Sequence, residues 1–178
     1  MGMRKTLSLL ALVGAIGCGA APQASTIAPL ARADFGAADR DRDDALTPEE
    51  FLQATEPYAA EFDLDRDGRL DREELARGLF RAFDENGTGR IDEAELARGA
   101  MRWWPEDVEV RFDAWNTHPD RGLDVDELRA AVERLGLHRR FDQDRDGAVS
   151  HADLADVLFR SWDLDESDSI DPLEWRWD

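Results

Sequence analysis

One twelve-residue pattern occurs six times in this chain and constrains its fold more than any other feature. Oxygen-bearing side chains stand at positions 1, 5 and usually 9, and at 3 in all but the fourth copy, with an aliphatic residue at 8 and an acid at 12. The copies span 39–50, 63–74, 84–95, 116–127, 142–153 and 163–174, here loops 1 to 6. Position 8 is Leu46, Leu70, Ile91, Leu123, Val149 and Ile170, and position 12 is Glu50, Glu74, Glu95, Glu127, Asp153 and Glu174. A solvated acidic face would account for the charge. It would not account for an aliphatic residue fixed at 8, or for the glycine at position 6 of loops 2, 3 and 5.

A longer repeat encloses the short one. The segment from Arg140 to Trp175 aligns without a gap on Glu61 to Leu96 at an offset of 79 residues, while loops 1 and 4 are offset by 77. Two homologous halves of three loops each follow, 34–101 and 105–178, with Pro105 near the seam. Between loops, "LARGLFRAF" places Leu75, Leu79, Phe80 and Phe83 on one helical face, and "LADVLFRSW" does the same with Leu154, Leu158, Phe159 and Trp162. Each is short enough to be a single helix that leaves one loop and enters the next. Loops 2 and 3 then lie at opposite ends of one helix and cannot bridge to each other. Pro105 is expected to split the longer segment between loops 3 and 4 into two antiparallel helices.

The template resembles the EF-hand, a helix, a calcium loop and a second helix. Asp63, Asp65, Asp67, Gly68 and Glu74 match its signature at every defined position. The resemblance implies an all-α fold, an EF-hand-like array of six helix-loop-helix units. It implies Ca2+, a hard cation that takes six to eight oxygens, held in loop 2 by Asp63, Asp65, Asp67, the carbonyl of Arg69 and Glu74, with Asp71 acting through water. Gly68 allows the positive φ of the sharp turn. By the same correspondence loop 3 offers Asp84, Asn86, Thr88, the Arg90 carbonyl and Glu95. Loop 5 offers Asp142, Asp144, Asp146, the Ala148 carbonyl and Asp153, whose shorter side chain relatively favours Mg2+. Loop 1 offers Asp39, Asp41, Asp43 and Glu50, with Asp44 where glycine is expected. Loop 6 offers Asp163, Asp165, Ser167, the Ser169 carbonyl and Glu174, with Asp168 in the glycine position. Loop 4 is expected to be vestigial: His118 offers nitrogen, Pro119 stiffens the backbone and Arg121 replaces the glycine. Four or five Ca2+ are expected. The loop starts are 24, 21, 32, 26 and 21 residues apart, and only the third gap approaches that of a familiar EF-hand pair.

Charge agrees with this expectation. The chain of 178 residues carries 41 acidic and 22 basic residues, a formal net charge of −19. That excess excludes nucleic acid as a partner and suits cations. The three histidines have no evident nucleophile beside them, so no enzyme activity is expected. Of the methionines, only Met101 lies beyond the first 18 residues, which argues against a methionine-lined sensor groove.

Residues 1–18 read as an export signal. Arg4 and Lys5 precede an apolar run from Leu7 to Ile16 that is too short to span a bilayer. The run ends in "AIGC", which resembles the lipobox of bacterial lipoproteins and implies acylation of Cys18, the chain's only cysteine. An ordinary secretory signal cut near Ala24 is the alternative. Residues 19–33 read as a flexible tether. The expected protein is a calcium buffer or calcium-stabilised protein of the cell envelope, anchored by lipid. A calcium sensor, or a scaffold or adhesion module with a protein partner, is the alternative.

Overall fold

The structure is a computed structural model, and it describes residues 34–104, 108–118 and 122–175. Among these it is mostly helical, in keeping with an all-α fold. The helices are α1 (Phe35–Ala38), α2 (Pro48–Phe62), α3 (Arg72–Phe83), α4 (Glu93–Trp103), α5 (Phe112–Trp115), α6 (Val125–Leu135), α7 (Leu137–Phe141) and α8 (His151–Trp162). Two short strands, β1 (Arg69–Leu70) and β2 (Val149–Ser150), complete the elements. The helices α3 and α8 each run from one loop to the next, as their periodicity predicts, and α2 does the same between loops 1 and 2. Between loops 3 and 4 the described residues hold α4 and the four-residue α5; Pro105 lies outside them.

Each long helix starts where its loop ends. Thr47, Asp71, Asp92, Asp124 and Ser150, all at position 9, are N-caps whose side chains accept the N–H of position 12, and the position-12 carboxylate returns the bond to the N-cap N–H. Such a capping box satisfies donors that the first turn would otherwise leave unpaired. Asp71 is therefore a helix cap here, a role the template alone did not suggest.

The loops pair across the two halves in nested order. β1 of loop 2 runs antiparallel to β2 of loop 5, with Leu70 opposite Val149 and Arg69 opposite Ser150. Leu46 of loop 1 bridges Ile170 of loop 6, and Ile91 of loop 3 bridges Leu123 of loop 4. The helices follow suit, α2 packing mainly on α8 and α3 on α6. The order of these pairs, 1 with 6, 2 with 5 and 3 with 4, is the one that a twofold relation between the halves read in the sequence would produce. Every position-8 side chain is buried at these bridges, so the aliphatic residue is fixed because it fills the space between paired loops.

The residues entering and leaving the loops build the rest of the core. Phe62, Phe83, Trp115, Phe141 and Trp162 each stand immediately before position 1, and Phe51, Leu75, Leu96, Leu128, Leu154 and Trp175 immediately after position 12; all are buried in one cluster. Trp162 and Trp175 meet edge to face at 5.6 Å, and Phe51 packs edge-on against both. Phe35 meets Trp175 at 5.8 Å, tying α1 to the last described residue. Trp175 is thus a core residue. No helix among the described residues is long and apolar enough to cross a membrane.

Candidate metal centres

The loop backbone curls round the position-1 carboxylate. Asp63 accepts the N–H groups of Arg66, Asp67 and Gly68 at 2.6–3.2 Å. Asp39 does the same for Arg42, Asp43 and Asp44 at 2.7–3.3 Å. Asp84, Asp142 and Asp163 each accept the N–H groups of positions 5 and 6. This wrapping turns the backbone to positive φ at position 4 as well as position 6 in loops 1, 2, 3, 5 and 6. The pairs are Arg42 and Asp44, Arg66 and Gly68, Gly87 and Gly89, Arg145 and Gly147, and Glu166 and Asp168. Asp44 and Asp168, at φ 64° and 61°, adopt the turn without glycine, at a cost on the order of 1 kcal/mol each.

The position-12 carboxylate closes each loop from the other side. One oxygen takes the N–H of position 9, and the other reaches back to the start of the loop. Glu50 accepts from Arg40 at 2.9 Å, Glu74 from Leu64 at 2.8 Å and Glu174 from Leu164 at 2.7 Å. Glu95 accepts from Asn86 at 3.1 Å and Glu127 from Thr117 at 2.7 Å. The shorter Asp153 still reaches Gln143 at 3.1 Å. Asp153 titrates below the usual carboxylate range: burial opposes this, but the hydroxyl and N–H of Ser150 and the N–H of Gln143 outweigh it.

Four sets of carboxylate oxygens converge to within 4.8 Å of one another. They are Asp39, Asp41 and Asp43 in loop 1; Asp63, Asp65 and Glu74 in loop 2; Asp142, Asp144 and Asp146 in loop 5; and Asp163, Asp165 and Glu174 in loop 6. In loops 1 and 2 one carboxylate of each set is raised in pKa, in part by its neighbours. Lost hydration and then the Asp43 and Glu50 carboxylates raise the pKa of Asp41. At Asp65 the Asp67 N–H pulls the other way, yet lost hydration and the carboxylates of Asp67, Glu74 and Asp63 push the pKa up. A divalent cation relieves the same repulsion without a proton. The converging atoms are all oxygens, and hard O-only sets suit Ca2+ or Mg2+ rather than the N- and S-seeking transition metals.

Loops 3 and 4 differ. At positions 1, 3, 5 and 12 loop 3 has two carboxylates, Asp84 and Glu95, and the neutral Asn86 and Thr88. The Thr88 hydroxyl donates to the Arg90 carbonyl at 3.1 Å, and Ser167 in loop 6 donates likewise to Ser169 at 3.1 Å. In loop 4 the Glu127 oxygen that faces the loop is occupied by internal partners. The Thr117 hydroxyl donates to it, and His118 Nδ1 lies 3.3 Å away. Burial works to raise the Glu127 pKa, but the Thr117 hydroxyl, the N–H groups of Asp124 and Thr117, and His118 bring it down to about 2. Residues 119–121, with Asp120 and Arg121, lie outside the described residues.

No curated protein and no solved structure matches the chain. A family model described as EF hand matches residues 60–79 and 76–101, the segments that carry loop 2, α3, loop 3 and α4. The chain is similar to the EF hand over those segments, and this likeness together with the four acidic clusters supports an EF-hand calcium-binding protein.

Proposed function

We propose that the chain is an array of six EF-hand-like units that binds four or five Ca2+, and that this binding is its function rather than catalysis. The observation that carries the reading is the shared closure of the loops. In all six, a position-12 carboxylate joins the loop's first residues to position 9, which caps the following helix in loops 1 to 5, and the position-8 residue is buried at a bridge. The ligands in this reading are Asp39, Asp41, Asp43 and Glu50; Asp63, Asp65, Asp67, Arg69 and Glu74; Asp84, Asn86, Thr88, Arg90 and Glu95; Asp142, Asp144, Asp146, Ala148 and Asp153; and Asp163, Asp165, Ser167, Ser169 and Glu174, with Arg69, Arg90, Ala148 and Ser169 contributing carbonyls. Loop 4 keeps the shape and not the ion, and Mg2+ competes best at the loop closed by Asp153. The bound ion supplies positive charge where the chain has concentrated negative charge. A chain beginning at Gly19 carries −21, and five Ca2+ bring it to −11.

Within this reading the protein is exported and held at the cell envelope by lipid on Cys18, which lies outside the described residues. The mass of the mature N-terminus tests the anchor: an acylated Cys18 is expected, and an unmodified terminus downstream of it would refute the anchor. Buffering or structural stabilisation is favoured over sensing because the described tryptophans are buried and Met101 is the one methionine beyond residue 18. On Ca2+ titration, binding of a hydrophobic dye should fall. A rise at micromolar Ca2+ would point instead to a sensor that opens a groove for a protein partner.

A further inference from the structure

Loops 2 and 5 begin alike, with aspartates at positions 1, 3 and 5 and glycine at 6, and they face each other through β1 and β2. A twofold relation would make them equivalent, but one contact breaks it. Arg69, at position 7 of loop 2, reaches across the strand pair and places Nη2 2.6 Å from Asp146 Oδ2. The matching residue of loop 5 is Ala148, which has no side chain to send back to Asp67. Asp146 belongs to the convergent set of loop 5, and its other oxygen accepts the Ala148 N–H at 3.0 Å. The guanidinium therefore stands at the edge of the loop 5 carboxylates and neutralises one of them. The same reach recurs between loops 3 and 4, where Arg90 Nη1 lies 3.2 Å from Asp124 Oδ2. There the acceptor is a helix cap rather than a member of a cluster.

We propose that Arg69 is a resident counter-cation that lowers the Ca2+ affinity of loop 5, so that the central loop pair holds two unequal sites. The proposal rests on the calcium reading above. Ligand charge tunes the affinity of such loops, and a cation beside Asp146 opposes a second cation among the same oxygens. Both partners are partly exposed, with side chains 52% and 36% accessible, so the opposition is screened by salt. The remaining differences act in the same direction, since loop 5 has Ser150 and Asp153 where loop 2 has Asp71 and Glu74.

The test is a Ca2+ titration of the full chain followed by 1H–15N NMR. The Gly147 amide donates to Asp142 Oδ2 at 3.1 Å and reports on loop 5, and the Gly89 amide reports on loop 3. Arg69→Gln should move the Gly147 midpoint to about fivefold lower Ca2+ at low ionic strength. The shift should shrink as the Debye length falls from about 30 Å at 0.01 M to about 8 Å at 0.15 M salt. Arg69→Lys, which keeps the charge, should stay near wild type, and the Gly89 midpoint should not move. An unchanged Gly147 midpoint, or one displaced to higher Ca2+, would overturn the proposal, the latter marking Arg69 as a residue that positions Asp146 for the ion. A wild-type chain with no calcium-dependent change at any loop glycine would instead remove the calcium reading itself.

Discussion

Chelating calcium is expected to lower the melting temperature by about 30 °C, from gains of about 2.7 kcal/mol per site at a hundredfold excess over Kd and a sensitivity of about 2–4 °C per kcal/mol. Four such sites contribute about 11 kcal/mol together, as much as the whole net stability of an ordinary domain at about 5–15 kcal/mol. The reason for so large a share is visible in the loops. The position-1 and position-12 carboxylates of loop 5, Asp142 and Asp153, are both buried, and buried charge is tolerated only when compensated. Backbone N–H groups supply part of that compensation, and the raised pKa values of Asp41 and Asp65 mark what they leave over. Loops 1 to 5 each also fix the start of a helix, and every loop supplies one side of a bridge, so opening loop 2 releases loop 5 and the packing of α2 on α8. Circular dichroism during thermal melting in EGTA and in millimolar Ca2+ measures the effect. Equal melting temperatures would contradict it.

Gly78→Ala is expected to destabilise the calcium-loaded protein by about 2–3 kcal/mol, against the usual sign for a glycine inside a helix. Alanine normally gains up to about 1 kcal/mol over glycine at such a position. In α3, however, a Cβ on Gly78 would lie 2.2 Å from the ring of Phe62. Phe62 closes α2 just before loop 2, is fully buried and stacks on Trp103 at 5.3 Å, so the ring has nowhere to go. The entering and leaving helices of loop 2 approach this closely only because Gly78 has no side chain. Gly99 stands in the same place relative to loop 3, where a Cβ would meet the ring of Phe83 at 2.4 Å. Gly36, in α1, is the contrast. Its Cβ would meet only the Asp34 carboxylate at 3.6 Å, so Gly36→Ala should be neutral or slightly stabilising. Thermal melts at saturating Ca2+ check both, and a Gly78→Ala protein as stable as wild type would refute the packing argument.

These residues show what could be read in the sequence and what could not. Positions 1, 6, 8 and 12 were legible because each demands a residue type: a carboxylate, a small or turn-tolerant residue, an aliphatic group and a closing acid. The helices were legible from the stripes ending at Phe83 and Trp162. The partners of the loops were not, beyond the exclusion of a loop 2–loop 3 bridge, because a two-residue strand pair is made by backbone groups that every residue carries. The second positive φ, at position 4, was equally hidden. Arg42, Arg66, Arg145 and Glu166 have no preference for it, and the turn is imposed by backbone N–H groups converging on the position-1 carboxylate. Position 9 read as a water-mediated ligand; that Asp71 also caps α3 was not read, although the position-9 and position-12 residues already spell a capping box. Nothing in the sequence marks Gly78 and Gly99, since their role depends on rings that arrive from the preceding element.

The central claim is that the acidic dodecads are oxygen cages for calcium, and counting the ions tests it most directly. Native mass spectrometry of the full chain, equilibrated with Ca2+ and then with excess EGTA, should show four or five Ca2+ retained in the first condition and none in the second. A chain that holds no Ca2+ at millimolar concentration would contradict the account.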